Sequence, residues 1–256
     1  MEINFLDLPE ECIATVISFT SARDACRIST VSKSLHSTAD SDAVWEKFLP
    51  AESRSLIDHS LSRLSNKQLF LRLCESPLLI DDGRTSFWME KRSGKKCRML
   101  SARKLEIVWV DIPEYWSWIS VQESRFKEVA ELRMVCWFEI RGKISASLLS
   151  KDTIYGAYLV FMEANKWGAF GFDSLPLETS IRSTRTEICN DGRVFLESGT
   201  REPREDGWLE IELGECYVGF DEEEIEMSVM ETKEGGWKGG IIVQGIEIRP
   251  KQNVAF

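Results

Sequence analysis

Apolar and polar positions repeat with two different periods along this chain. Up to about Leu79 the apolar residues recur three and four positions apart, as on one face of a helix. From about Phe87 to Pro250 they mostly alternate, as on one face of a strand. In the first regime Asp7-Leu8-Pro9-Glu10 predicts a helix start. Asp7 caps it, Pro9 sits in the first turn where its missing N–H costs nothing, and Glu10 reaches back. Ile13, Val16 and Ile17 then form one apolar stripe that ends near Phe19. Ser21 caps a second helix over 22–28, and Val31-Ser32-Lys33-Ser34-Leu35 opens a third. Asp40 or Ser41 caps a fourth, which carries Val44, Trp45, Phe48 and Leu49 before Pro50. These stripes hold more large apolar groups than a core of about 45 residues can use, so docking onto a partner is the expected outlet.

Residues 51–80 read as a helical connector. Leu56, Ile57, Leu61 and Leu64 share one face, Leu69, Phe70 and Leu73 fall on a further helix, and Pro77 ends it. Beyond it, Leu105, Ile107 and Trp109 share one face of a strand over 105–110. A single strand is expected over 132–140, with Met134, Cys136, Phe138 and Ile140 opposite Arg133, Val135, Trp137 and Glu139. Further strands are expected at 154–162, 208–213, 225–230 and 241–248. Gly94 and Asn190-Asp191-Gly192 are hairpin signals, and Gly235-Gly236-Trp237-Lys238-Gly239-Gly240 reads as a flexible turn. Many short strands separated by turns predict an antiparallel β-sandwich, jelly-roll-like, over 81–256. The fold class is therefore α+β: helical residues 1–50, the connector 51–80, then the β domain.

Composition narrows the function classes. The 256 residues carry a net charge of −10, against the basic face that nucleic acid or an anionic membrane surface requires. No apolar run approaches the ~20 residues of a membrane span, and Met1-Glu2-Ile3-Asn4 lacks a basic leader. Seven cysteines are scattered and odd in number, so reduced thiols in cytosol or nucleus are expected. Both histidines, His36 and His59, fall in the helical part, which leaves the β domain without imidazole for triads or most metal sites. The run Asp221-Glu222-Glu223-Glu224 lacks the alternating pattern of a calcium loop and reads as a solvated loop. Lys91-Arg92-Ser93-Gly94-Lys95-Lys96 reads as a solvated turn rather than a nuclear-localisation cluster. No cofactor and no catalysis are expected.

The N-terminal block resembles an F-box. Leu8-Pro9-Glu10 opens it; Ile13, Ile17 and Val31-Ser32-Lys33-Ser34-Leu35 follow, and Asp42-Ala43-Val44-Trp45-Glu46-Lys47-Phe48-Leu49 closes it. The match spans about Phe5 to Leu49, and His36 departs from the bulkier residue usual there. The resemblance implies binding to a Skp-family adaptor and through it to a cullin, as the substrate-recognition subunit of an SCF-type ubiquitin ligase. The matched positions are Leu8, Pro9, Ile13, Ile17, Val31, Ser32, Leu35 and Trp45.

The second half is similar to the phloem protein 2, or Nictaba-like lectin, domain. Leu100 to Trp109, Pro113-Glu114-Tyr115-Trp116-Ser117-Trp118 and Ser124 to Leu132 carry the likeness, with Trp208 to Glu215 and Gly245 to Lys251. Combined with the F-box, it is similar to the B-type subgroup of that plant family. The resemblance implies binding of N-acetylglucosamine-containing glycans, with Trp109 and Trp116 at the positions that serve sugar and Trp118 on the face of Trp116. Indole faces stack on the C–H faces of pyranose rings. Pro113 and Tyr115 place Trp116 on an exposed loop. The expected role is capture of a protein or glycoprotein target for ubiquitination, and the competing one is an intracellular lectin acting without ubiquitin.

Overall fold

A computed structural model describes residues 8–57, 61–164, 168–172, 176–184, 189–196, 201–219 and 223–251. Asp7, His59, Asp221 and Glu222 lie outside these residues. The chain divides into two compact units, residues 1–78 with 87–96 and residues 79–86 with 97–256.

Among the described residues the first unit holds five α-helices: α1 (Glu10–Ser18), α2 (Ala22–Ile28), α3 (Lys33–Ala39), α4 (Asp42–Phe48) and α5 (Asn66–Glu75). Pro9 takes the N-cap position of α1. The Ser21 and Ser32 hydroxyls accept the backbone N–H of Asp24 and Leu35, so both serines start their helices as expected. Ser41 occupies the cap of α4 without a side-chain bond. Ser65 and Gln68 form a reciprocal capping box on α5. Trp45 is completely buried at the centre, its indole N–H donating to Ala39 O at 2.8 Å. Phe48 and Phe70 meet its ring edge-on at 5.5 and 5.3 Å.

The expected helix carrying Leu56 to Leu64 is not formed. Ala51–Arg54 is a single 3-10 turn, and the described residues from Ser55 to Ser65 are turn or irregular. Side-chain bonds to backbone carbonyls hold the segment instead. The Ser55 hydroxyl donates to Glu52 O, and the Arg54 guanidinium donates to Ser62 O, Leu64 O and the Asn66 side chain.

Thirteen strands occur among the described residues: β1 (Leu78–Ile80), β2 (Thr85–Met89), β3 (Lys96–Ser101), β4 (Glu106–Ile107), β5 (Trp116–Ile119), β6 (Val129–Leu132), β7 (Phe138–Ser145), β8 (Thr153–Glu163), β9 (Leu177–Ser183), β10 (Cys189–Val194), β11 (Leu209–Val218), β12 (Glu224–Glu231) and β13 (Ile241–Pro250). One sheet runs β1-β2-β3-β13-β6-β5, with β8 pairing β13 and β11 pairing β8. The other runs β10-β9-β12-β7-β4. The register of every pair between β3 and β13 that is resolved is antiparallel. Inward residues of both sheets, among them Phe138, Ile140, Val229, Phe161, Ile241 and Ile246, join one core. The chain is thus α+β and mostly β, helices first and antiparallel sheets after.

Two bulges keep apolar residues facing that core. In β13, Ile241 and Val243 have odd parity, whereas Ile246 and Ile248 have even parity. A register shift between Val243 and Gly245 turns both halves inward. Gly245 is required there, because a Cβ would lie 1.9 Å from Leu100 O. In β11 a shift between Glu212 and Gly214 does the same for Ile211 and Leu213 against Cys216 and Val218.

Several expectations are corrected. The single strand over 132–140 is two strands, β6 in one sheet and β7 in the other. Residues 133–137 cross between the layers, so Val135 is buried while Met134 and Trp137 are exposed. Asn190-Asp191-Gly192 is no turn: it lies inside β10, with Gly192 opposite Thr179. The glycine-rich segment 235–240 is fastened rather than loose. Val135 bridges Lys238, Phe170 bridges Gly239, and Lys238 is buried in an ion pair with Glu231. Within the acidic run Glu223 is buried and accepts a 2.6 Å bond from the Ser183 hydroxyl, so it is not a solvated loop residue.

Candidate functional site

The helical unit separates its apolar residues into filled core and uncovered surface. Ile13, Ile17, Leu35 and Trp45 are buried within the unit, and the Ser32 hydroxyl is occupied as the cap of α3. Leu8 is half-buried and Pro9 exposed at the start of α1. The surface that remains apolar is led by Phe19 (85% exposed), Val31 (71%) and Val16 (47%). Val16 and Phe19 belong to the stripe for which docking is expected, although neither is among the matched adaptor positions. Their exposure follows from the packing of α1, which buries only Ile13 and Ile17 of its stripe.

In the β unit, β4 stops after Ile107, and residues 108–115 form a turn that leads into β5. Trp109 has φ +61°, a left-handed conformation that costs a non-glycine residue about 1 kcal/mol or more. That reversal rotates Trp109 away from the inward face of Leu105 and Ile107, contrary to strand alternation, and leaves it 37% exposed. Its ring lies 5.3 Å from that of Tyr115 at 40°. The turn is held by Ile112 N donating to Trp109 O and by Tyr115 N and Trp116 N both donating to Ile112 O. Asp111 and Glu114 are exposed on the same turn.

Trp116 does not lie on an exposed loop. It opens β5 opposite Leu132 and is 2% exposed in the core, and its indole N–H has no hydrogen-bond partner among the described residues. Pro113 and Tyr115 mark the turn correctly, but the turn ends one residue before this tryptophan. Trp118 faces Ala130, half-buried beneath the Arg103 guanidinium, which lies 3.5 Å from the ring centroid and is ion-paired with Glu128 at 3.0 Å. The structure thus brings Trp109 and Tyr115 together as an open aromatic face, with Trp116 buried in the core and Trp118 covered. Tyr115 and Arg103 carried no periodic signal as site residues; only the turn geometry assembles them. Among the described residues no group of three or more His, Cys, Asp or Glu is placed to hold a metal ion.

Residues 95–250 match the family described as Phloem protein 2, and residues 5–47 match the F-box domain. The chain belongs to the phloem protein 2 family. A relative from Arabidopsis thaliana bearing the name PP2-B12 is 77% identical over 250 residues, covering 98% of this chain and 99% of its own. The Arabidopsis F-box protein PP2-B10 is 48% identical, with 96% and 94% of the two chains covered. The Arabidopsis F-box protein PP2-B1 is 43% identical, with 96% and 90% covered. Within this phloem protein 2 chain the F-box match coincides with α1 to α4, and the phloem protein 2 match runs from β3 through β13. Both domains are of types that are characteristically non-catalytic. Among solved structures, a Podospora anserina GH26-CBM35 β-(1,4)-mannanase superposes on 60% of this chain and 28% of its own, at TM-score 0.37 and 10% identity. That likeness is too slight to bear on fold or function.

Proposed function

We propose that this chain is the substrate receptor of an SCF-type ubiquitin ligase. Its F-box binds a Skp-family adaptor, and through it a cullin, while its phloem protein 2 domain captures the target. The observation that carries this reading is the exposure of Phe19, Val31 and Val16 on a helical unit whose own core is already filled around Trp45. Large apolar groups left in water beside a complete core are most stable when another surface covers them. The chain then contributes proximity and no bond-making chemistry. The reading places it in cytosol or nucleus, where the thiols of half-buried Cys74 and buried Cys216, both pushed up to about 12 by burial, stay protonated.

The target class supported best is a protein carrying N-acetylglucosamine-containing glycans. The Trp109–Tyr115 face offers indole and phenol rings to sugar C–H groups, and Asp111 and Glu114 on that turn offer acceptors for hydroxyls.

The test is co-purification of the full chain with a Skp-family adaptor. Phe19→Asp with Val31→Asp should abolish it while circular dichroism stays unchanged, and binding that survives in this folded double variant overturns the adaptor assignment. In parallel, chitotriose titration of wild type against Trp109→Ala reads the glycan face. Glycan binding without any adaptor binding would instead establish the lectin that acts apart from ubiquitin.

A further inference from the structure

The outward face of the sheet β10-β9-β12-β7-β4 is shaped as a trough. Register places Asp191, Ser180, Ser228, Arg141 and Glu106 in one row across its strands. On one side of that row stand Glu178, Met230 and Glu139; on the other stand Arg182, Glu226 and Lys143. Two serines at the centre, flanked by long side chains, make a floor: Ser228 faces outward in the alternation of β12 and yet is only 6% exposed. Hollows of about 460 and 330 Å³ adjoin over this floor and share Ser180, Arg182, Ser228 and Met230. At roughly 4.8 Å per strand, the row spans about 19 Å, long enough for an extended chain lying across the strands.

The charges decide what such a trough accepts. Arg141 is paired with Glu139 at 2.6 Å, Lys143 with Glu226 at 2.8 Å, Arg182 with Asp191 at 3.3 Å, and Lys233 with Glu178. With Arg193, 4.0 Å from Glu178, five cations stand against five carboxylates, Glu106 among them, so the face has no surplus charge to attract an anion or a cation. Pairing leaves the remaining oxygens and N–H groups of these side chains available for hydrogen bonds. The Ser180 and Ser228 hydroxyls bond each other at 2.8 Å. One bond uses one donor and one lone pair of that pair, which leaves a hydroxyl donor and further acceptors facing the trough. Met230 adds an apolar wall, and the Trp137 indole, exposed, is anchored by its N–H to Glu139 at 2.7 Å. Burial alone would raise the Glu139 carboxyl, but the bonds from Trp137 and Arg141 outweigh it and hold it below the usual carboxylate range, so it stays an acceptor.

We propose that this trough is a second binding site, distinct from the Trp109 turn, and that its ligand is a neutral linear oligosaccharide. Planar carboxylates and guanidinium groups meet pairs of hydroxyls, the serine floor admits a flat ring, and the balanced charge disfavours acidic glycans and charged peptides. The proposal is independent of adaptor binding and of the Trp109–Tyr115 face.

The test is calorimetric titration of the full chain with cellohexaose as the neutral probe. Hexagalacturonate is the anionic control, and an extended Ser-Gly-Thr repeat peptide the neutral non-sugar one. Cellohexaose should bind and hexagalacturonate should not. Ser228→Tyr, which fills the floor, should remove binding; Ser180→Ala with Ser228→Ala, which keeps the shape, should weaken it about tenfold. Cellohexaose binding that persists in Trp109→Ala belongs to the trough. No binding of cellohexaose by wild type overturns the proposal, as does loss in Trp109→Ala with retention in both serine variants. Binding of the peptide in place of the sugar overturns the ligand class. Thermal melts of each variant separate blocked binding from failure to fold.

Discussion

Arg103 lies flat over Trp118, with its guanidinium carbon 3.5 Å from the centre of the ring, while Glu128 holds it from behind. A cation stacked on an aromatic face contributes about 0.5–1 kcal/mol at a partly exposed position. Arg103→Ala should therefore cost about that much in urea unfolding and expose Trp118 to collisional quenching. Acrylamide quenching of tryptophan fluorescence should rise in this variant. An unchanged quenching constant would mean that the stacked arrangement is not populated in solution.

Lys238 and Glu231 form a buried ion pair, 1% and 5% exposed, which ties segment 235–240 to β12. The Lys238 Nζ also donates to Gly236 O at 2.7 Å, and Glu231 accepts the backbone N–H groups of Lys233 and Glu234. Lys238→Met strands a buried carboxylate, and a loss of about 3–5 kcal/mol is expected. Adding Glu231→Leu should recover most of it. Chemical denaturation of the single and double variants checks both, and a double variant no better than the single contradicts the pairing.

Trp45 belongs to the core of the helical unit, so its removal should act through folding. Trp45→Ala deletes a fully buried indole and its bond to Ala39 O, a loss of about 3–5 kcal/mol. The helical signal should melt earlier, and adaptor binding should fall only in proportion to the unfolded fraction. A well-folded variant that nevertheless lost the adaptor would move Trp45 to the interface.

Tyr155 supplies an alkaline limit. Burial pushes its phenol from 10.0 up to about 12, although the Ser150 backbone N–H donating to its oxygen at 2.9 Å works the other way. Because the folded value exceeds the unfolded one, the stabilisation is complete below about pH 10. It is lost as pH rises from 10 to 12. Thermal midpoints measured across that window should fall more steeply for wild type than for Tyr155→Phe, whose midpoint at neutral pH should sit only slightly lower.

Local pattern carried much of this fold. The cap at Ser21, the opening of α3 near Ser32 and the α5 face of Leu69, Phe70 and Leu73 were legible because they rest on contacts within a few residues, and the places of β8, β12 and β13 were legible from their apolar runs. The missing helix at Leu56–Leu64 was not, because the bonds from Arg54 to Ser62 O and Leu64 O join residues eight and ten apart, beyond the reach of helical spacing. Strand β9 escaped notice because its inward residues, Leu177, Thr179, Ile181 and Ser183, are only half apolar.

The tryptophans show where the boundary lies. Chain order alone determined that an F-box-like block precedes an alternating, tryptophan-rich β domain, because periodicity and motif spacing are properties of neighbouring residues. Which tryptophan meets solvent was decided by tertiary structure. The reversed backbone at Trp109 turns it out beside Tyr115, the start of β5 draws Trp116 into the core, and Arg103, distant in sequence, covers Trp118. The paired-charge trough belongs wholly to the tertiary level, since its rows exist only once five strands lie side by side in register.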